Sequence, residues 1–148
     1  MKQGAKIKKV KLILEIKPHE TKENEDLAVV TICSLVKKYK LEEQVEYISF
    51  SLNICKELVR LSPFSQIAYL NGELSPKELK EIGLSGLDYS YKILYKKPQW
   101  IEEAKQLGMT VNSWTINKEE DIKAFIDLNL DFITTDNPQE AIKLISNR

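Results

Sequence analysis

Six short strand-like runs, beginning near Leu12, Glu46, Gln66, Gly86, Met109 and Asp131, punctuate the chain, and a stretch of helical periodicity follows each one. A strand turns alternate side chains to opposite faces, whereas a helix returns to one face every three or four residues, so this pattern predicts six successive β/α units. After the first run, Ala28, Ile32, Leu35, Val36 and Tyr39 share one helical face; after the second, Ile54, Leu58 and Leu61 do the same. The third helix is announced by Ser75-Pro76-Lys77-Glu78, in which Ser75 caps, Pro76 takes the first helical position and Glu78 reaches back to close a capping box. The fourth sets Trp100, Ala104 and Leu107 on one side and stops at Gly108, a residue suited to a left-handed helix end. Asn117 with Glu120, and Asn137-Pro138 with Glu140, repeat the start signal for the last two helices.

After the first strand, the runs recur about every 20 to 23 residues. That spacing holds a helix and two short connections, so the 148 residues read as one domain with a real core. Parallel strands joined by right-handed crossovers form either an open doubly wound sheet or part of a (β/α) barrel, and spacing alone does not choose between them. An open sheet usually carries a glycine-rich phosphate turn near its start, and the five glycines here form no GxGxxG or P-loop pattern. A barrel gathers functional side chains at the C-terminal ends of its strands. Polar residues collect there: Glu15 and Lys17, Ser49 and Ser51, Asn71, Asn112 with Trp114, and Asp136.

The first run holds the sharpest chemical signal. In Leu12-Ile13-Leu14-Glu15-Ile16-Lys17-Pro18, strand alternation puts Ile13, Glu15 and Lys17 on one face and Leu12, Leu14 and Ile16 on the other. Burying a carboxylate or an ammonium is costly unless it is paired or bound, so an acid and a base fixed at the end of a core strand point to a site; a salt-bridged or solvated strand end is the structural alternative.

Charge and cysteine content narrow the classes of function. Lys plus Arg equals Asp plus Glu at 22 each, so no global field recruits nucleic acid or a bilayer. Lys2, Lys6, Lys8, Lys9 and Lys11 give a local basic start, which reads as a solvated end. No apolar run approaches the roughly 20 residues of a membrane span, and Glu15 and Lys17 interrupt the one stretch that could serve as a secretory signal. Cys33 and Cys55 lack zinc-site spacing and read as free packed thiols of a reducing, cytoplasmic compartment.

Four strings, taken in order, resemble the glycerophosphodiester phosphodiesterases: Glu15-Ile16-Lys17-Pro18, Ile48-Ser49-Phe50-Ser51, Val111-Asn112-Ser113-Trp114-Thr115-Ile116-Asn117, and Asp131-Phe132-Ile133-Thr134-Thr135-Asp136-Asn137-Pro138. The resemblance covers nearly the whole chain, and its most specific part is Trp-Thr-x-Asn followed by Thr-Asp-x-Pro. It implies an α/β fold, an incomplete TIM-type barrel whose six β/α units match strands 3 to 8, with residues 1–148 as the C-terminal part of the domain. It also implies metal-dependent hydrolysis of a small glycerophosphodiester to glycerol phosphate and an alcohol. By position, Glu15 matches a metal-binding glutamate, the cation being calcium or magnesium. Lys17 matches a lysine that stabilises charge on the phosphoryl oxygens, and Trp114 a tryptophan near the glycerol end of the substrate. Asp136 in this motif caps the following helix, and Ser49 and Phe50 shape the barrel wall.

The departures are as informative. The family's His-Arg-Gly and Glu-x-Asp regions are not found in this sequence, so the resemblance supplies one of three expected metal ligands and neither acid–base histidine. His19, the single histidine, follows the Glu-Ile-Lys-Pro string and reads as a loop residue. Asn129-Leu130 stands where Gly-Val is common, a change expected to affect a turn. Two functional readings follow: a phosphodiesterase that is inactive as this piece, or a non-catalytic barrel remnant that binds or assembles, with a homo-oligomer formed through exposed strand edges. A sugar phosphate isomerase is a weaker third, since neither 112–117 nor 134–138 contains glycine.

Overall fold

Each strand of the computed structural model, which describes residues 10–146, is hydrogen-bonded to the strand next to it in sequence. The elements run β1 (Leu12–Glu15), α1 (Lys22–Lys38), β2 (Val45–Ser49), α2 (Leu52–Leu61), β3 (Gln66–Tyr69), α3 (Pro76–Ile82), β4 (Gly86–Ser90), α4 (Tyr91–Lys96), α5 (Gln99–Gln106), β5 (Thr110–Trp114), α6 (Glu119–Asp127), β6 (Phe132–Ile133) and α7 (Pro138–Ser146). All five pairings are parallel and the sheet order is β1-β2-β3-β4-β5-β6, a curled half-barrel of the TIM type. Among the described residues no helix is long and apolar enough to cross a membrane.

Register explains where the core lies. Leu14 pairs with Tyr47 and Tyr47 with Ile67, then Tyr69 with Leu87 and Leu87 with Val111. These rows point away from the barrel axis and are sealed by the helices through Val29, Val36, Ile54, Leu58, Leu79, Ala104, Ile122 and Phe125, all buried. Fully burying each large apolar side chain is worth about 2 kcal/mol, which makes this outer layer the main source of stability. The opposite parity, Glu15, Ile48, Leu70, Asp88, Trp114 and Thr134, lines the concave face.

Local signals behave largely as read. Ser75 accepts from the Glu78 N–H while the Glu78 carboxylate accepts from the Ser75 N–H, completing the capping box. Gly108 has φ +68° and Asn129 φ +55°, so both turn positions are left-handed, one with the residue that tolerates it best and one with the usual second choice. Other elements differ. The fourth unit carries two helices, because α4 starts directly from β4 at Tyr91. Leu61 is 38% exposed, since α2 ends there and its last turn leaves the core. Lys118, not Asn117, holds the N-cap position of α6 and makes no side-chain cap bond. Lys2, Lys6, Lys8 and Lys9 lie outside the described residues; Lys11 donates to the Glu43 carbonyl and pairs with Glu46 at 3.5 Å, so it is anchored rather than frayed.

Candidate active site

The end of β1 is fixed before any ligand is considered. The Ile16 N–H donates to the Ile48 carbonyl, which carries the β1–β2 ladder one residue past Glu15. On the buried side, the Ser49 hydroxyl donates to the Ile16 carbonyl at 2.7 Å and accepts from the Ser51 N–H at 3.0 Å. Beyond Lys17, the buried Glu25 carboxylate accepts from the His19 N–H, the Ser51 hydroxyl and the Asn53 amide. The backbone carrying Glu15 and Lys17 is thus clamped from the side facing α1 and α2, and the two side chains project the other way.

They project into a cavity of about 330 Å³ on the concave face, lined by Glu15, Lys17, Ile48, Phe50, Leu70, Asp88, Trp114, Thr115 and Thr134. Both charged residues are exposed, as in the solvated strand-end alternative: the open concave face leaves them in solvent at the cavity mouth. They form no ion pair with each other within 4.0 Å. Trp114 walls the interior, its ring meeting Phe50 edge to face at 5.6 Å and 78° while its indole N–H donates to the Asp88 carbonyl at 2.8 Å. The mouth thus offers one ammonium and one carboxylate beside an aromatic wall.

Residues 3–140 match the sequence model of the glycerophosphoryl diester phosphodiesterase family. The chain belongs to that family. It is 27% identical over 114 residues to a glycerophosphodiester phosphodiesterase of Caldanaerobacter subterraneus subsp. tengcongensis, a match covering 74% of this chain and 46% of that protein. The crystal structure of a glycerophosphodiester phosphodiesterase from Parabacteroides distasonis superposes with a TM-score of 0.96 at 47% identity, covering 99% of this chain and 62% of that one. A phosphodiesterase of Oleispira antarctica, solved in complex with the product sn-glycerol-3-phosphate, is similar with a TM-score of 0.78 at 22% identity, covering 92% of this chain and 55% of that one; at that identity the likeness is one of fold. The chain therefore spans less than two thirds of the length of these relatives.

Within this half-barrel the structure sorts the residues picked from sequence. It brings Glu15, Lys17, Phe50 and Trp114 into one cavity. Ser49 faces the core and Ser51 caps α2. His19 and Asn71 are exposed and line neither that cavity nor its floor. Asp136 does not make the expected helix-cap bond: it accepts from the Asn117 amide at 2.7 Å, in a separate polar hollow of about 600 Å³ between the loops after β5 and β6.

Asp88 was not singled out from sequence, yet it sits on the floor of the same cavity, 4% exposed, with one carboxylate oxygen lacking any partner. Burial pushes its carboxyl up to about 7. Its signal was the acid in the middle of Gly86-Leu87-Asp88-Tyr89-Ser90, on the parity opposite to the buried Leu87 and Tyr89.

A divalent cation of the calcium or magnesium type needs six to eight oxygen ligands. Among the described residues no group of three or more His, Cys, Asp and Glu side chains is placed to hold a metal ion, and the cavity mouth offers the single carboxylate of Glu15. These residues alone do not make such a site.

Proposed function

We propose that this cavity is part of a glycerophosphodiester phosphodiesterase active site, which hydrolyses a small glycerophosphodiester to glycerol phosphate and an alcohol, and that residues 1–148 supply the C-terminal part of that domain. The observation carrying the reading is that β1 and β5, four strands apart in the sheet, deliver Glu15, Lys17 and Trp114 to one cavity. In the reaction, water adds to phosphorus and the P–O bond to the alcohol breaks, loading negative charge onto the phosphoryl oxygens. The Lys17 ammonium at the mouth is the group that stabilises that charge. Trp114 and Phe50 hold the glycerol carbons, and Glu15 is one ligand toward the cation of the complete site. The chain by itself is catalytically silent, a reading supported by its single mouth carboxylate and its partial coverage of the relatives. Release of choline from glycerophosphocholine by the purified chain, with calcium or magnesium added, is expected to stay at background; enzyme-like turnover would overturn the silence. In a longer form that turns over, Lys17→Met and Glu15→Gln should each lower kcat by about 10² or more, and unchanged kcat would overturn their assignment. Free Cys33 and Cys55 support a cytoplasmic setting.

A second reading, a binding or assembly module, is favoured by where apolar surface is left uncovered. Among the described residues, Val10 and Ile13 are exposed at the β1 edge, and the exposed Phe132, Ile142 and Ile145 line one hollow beside β6. Unpaired strand edges tend to recruit another strand, so a homo-oligomer is expected. Sedimentation as a clean monomer with a cooperative melt would count against it.

A further inference from the structure

Asp88 of β4 and Asn112 of β5 are register partners on adjacent parallel strands, so their Cα atoms stand about 4.8 Å apart and their side chains share one face of the sheet. Each residue is only 4% exposed, and each keeps a side-chain oxygen that is closed to water and has no hydrogen-bond partner. Buried polar atoms in native structures are nearly always satisfied, yet here two acceptors lie on neighbouring residues where no water enters. The donor must therefore come from the two side chains themselves. Two are available: a proton on the Asp88 carboxyl, or the amide nitrogen of Asn112 turned toward it. They exclude each other, because Asn112 presents one end of its amide to Asp88 at a time.

No charge competes for the pair. Glu15 and Lys17 line the same cavity from the β1 side, and Glu46 on β2 lies lower on the concave face, where it pairs with Lys11. Strands β3, β5 and β6 turn only uncharged residues to that face. Burial alone raises the Asp88 carboxyl, to about 7, with no contribution from these charges.

We propose that Asp88 and Asn112 share one proton as a pH-operated switch: the neutral carboxyl donates to the Asn112 amide oxygen, and the ionised one accepts from the amide nitrogen once Asn112 has turned over. The proton leaves and returns through the cavity that Asp88 lines, and the turn is a rotation about one side-chain bond of Asn112. The facing atoms are paired in both states, while the cavity floor passes from neutral to anionic. The switch does not depend on what the cavity binds.

The test is a titration of the unaltered chain from about pH 5 to about pH 9, a range spanning the raised carboxyl, followed by the Asp88 carboxyl ¹³C and the Asn112 side-chain amide ¹⁵N and ¹H resonances. All are expected to move together with one midpoint at about 7. Two variants, each first checked for a cooperative melt, sharpen the result. In Asp88→Asn the amide resonances should lose that midpoint, which separates the switch from His19, the single histidine, exposed on the loop after β1. In Asn112→Leu the Asp88 midpoint should rise by about one pH unit, because the ionised carboxyl loses a charge-assisted hydrogen bond and the neutral one only an ordinary bond. Titration of Asp88 beside a stationary Asn112 amide overturns the proposal, since the proton is then not shared. An unchanged Asp88 midpoint in Asn112→Leu does the same, as does a carboxyl ionised throughout the range, which would leave the amide nitrogen permanently turned to it.

Discussion

The indole N–H of Trp114 donates to the backbone carbonyl of Asp88 at 2.8 Å, so the residue that walls the cavity is tethered to the strand that carries its floor. Replacing Trp114 with Phe keeps a ring against Phe50 and removes the donor. The expected cost is about 1 kcal/mol, the usual net value of one hydrogen bond. Urea unfolding measures it, and a variant as stable as the parent would show that the tether is replaced by solvent.

Asp88 also sets a pH dependence. Its carboxyl stands at about 7 in the folded chain against an ordinary 3.8, so between those values the folded chain holds a proton that the unfolded chain has released. Stability contributed at this position is intact below pH 4, falls as pH rises toward 7 and levels off above it. The loss is at most about 4 kcal/mol, from roughly 1.4 kcal/mol per pKa unit. Glu15 and Lys17 share the cavity and remain in both proteins, so comparing the parent with Asp88→Asn isolates the effect. The urea midpoint of the variant should decline less between pH 4.5 and 8; parallel curves would contradict the assignment.

Ser49→Ala breaks the link between β1 and β2 on the buried side, leaving the Ile16 carbonyl without its 2.7 Å donor and the Ser51 N–H without its acceptor. A loss of about 2 kcal/mol is expected. Hydrogen exchange should quicken at Ile16 and Lys17 more than in α5 or β5, and uniform acceleration would argue against a local clamp.

The two thiols should react unequally. Burial, with a smaller contribution from the Glu25 charge, pushes the Cys55 thiol up to about 12, and Cys55 is fully buried, whereas Cys33 is half-buried beside the Ser62 hydroxyl. At pH 8 a disulfide reagent should modify one thiol in the folded chain and the second only after denaturation. Rapid modification of both would place Cys55 nearer the surface.

Ile13 and Phe132 expose apolar side chains on the two edge strands. Lysine at both positions should weaken any self-association about tenfold or more with little loss of stability, because neither side chain is buried. Sedimentation at several concentrations reads the change.

The outline of strands and helices was legible because each unit carries its own punctuation: a capping box at Ser75, a left-handed stop at Gly108, alternation through Leu12–Ile16. The first helix of the fourth unit was hidden because Tyr91–Lys96 lacks both a side-chain cap and a full amphipathic period. Glu15, Lys17 and Trp114 could be picked from local strings, since Glu15 and Trp114 end strands whose face parity is readable and Lys17 follows two residues after Glu15. Asp88 could not, because no local pattern reports which side chains lose their partners on folding. The exposure of Glu15 and Lys17 stayed open in the sequence for a related reason: a strand sequence shows which residues share a face, while the neighbours around that face decide whether it is dry.

Every strand in this sheet pairs with the strand just before or after it in the chain. No pairing must wait for a distant segment, so contacts stay short in sequence and the entropy of closing large loops is avoided. Each β/α unit can dock onto the one already folded as synthesis proceeds, and the half-barrel can grow in the direction of translation.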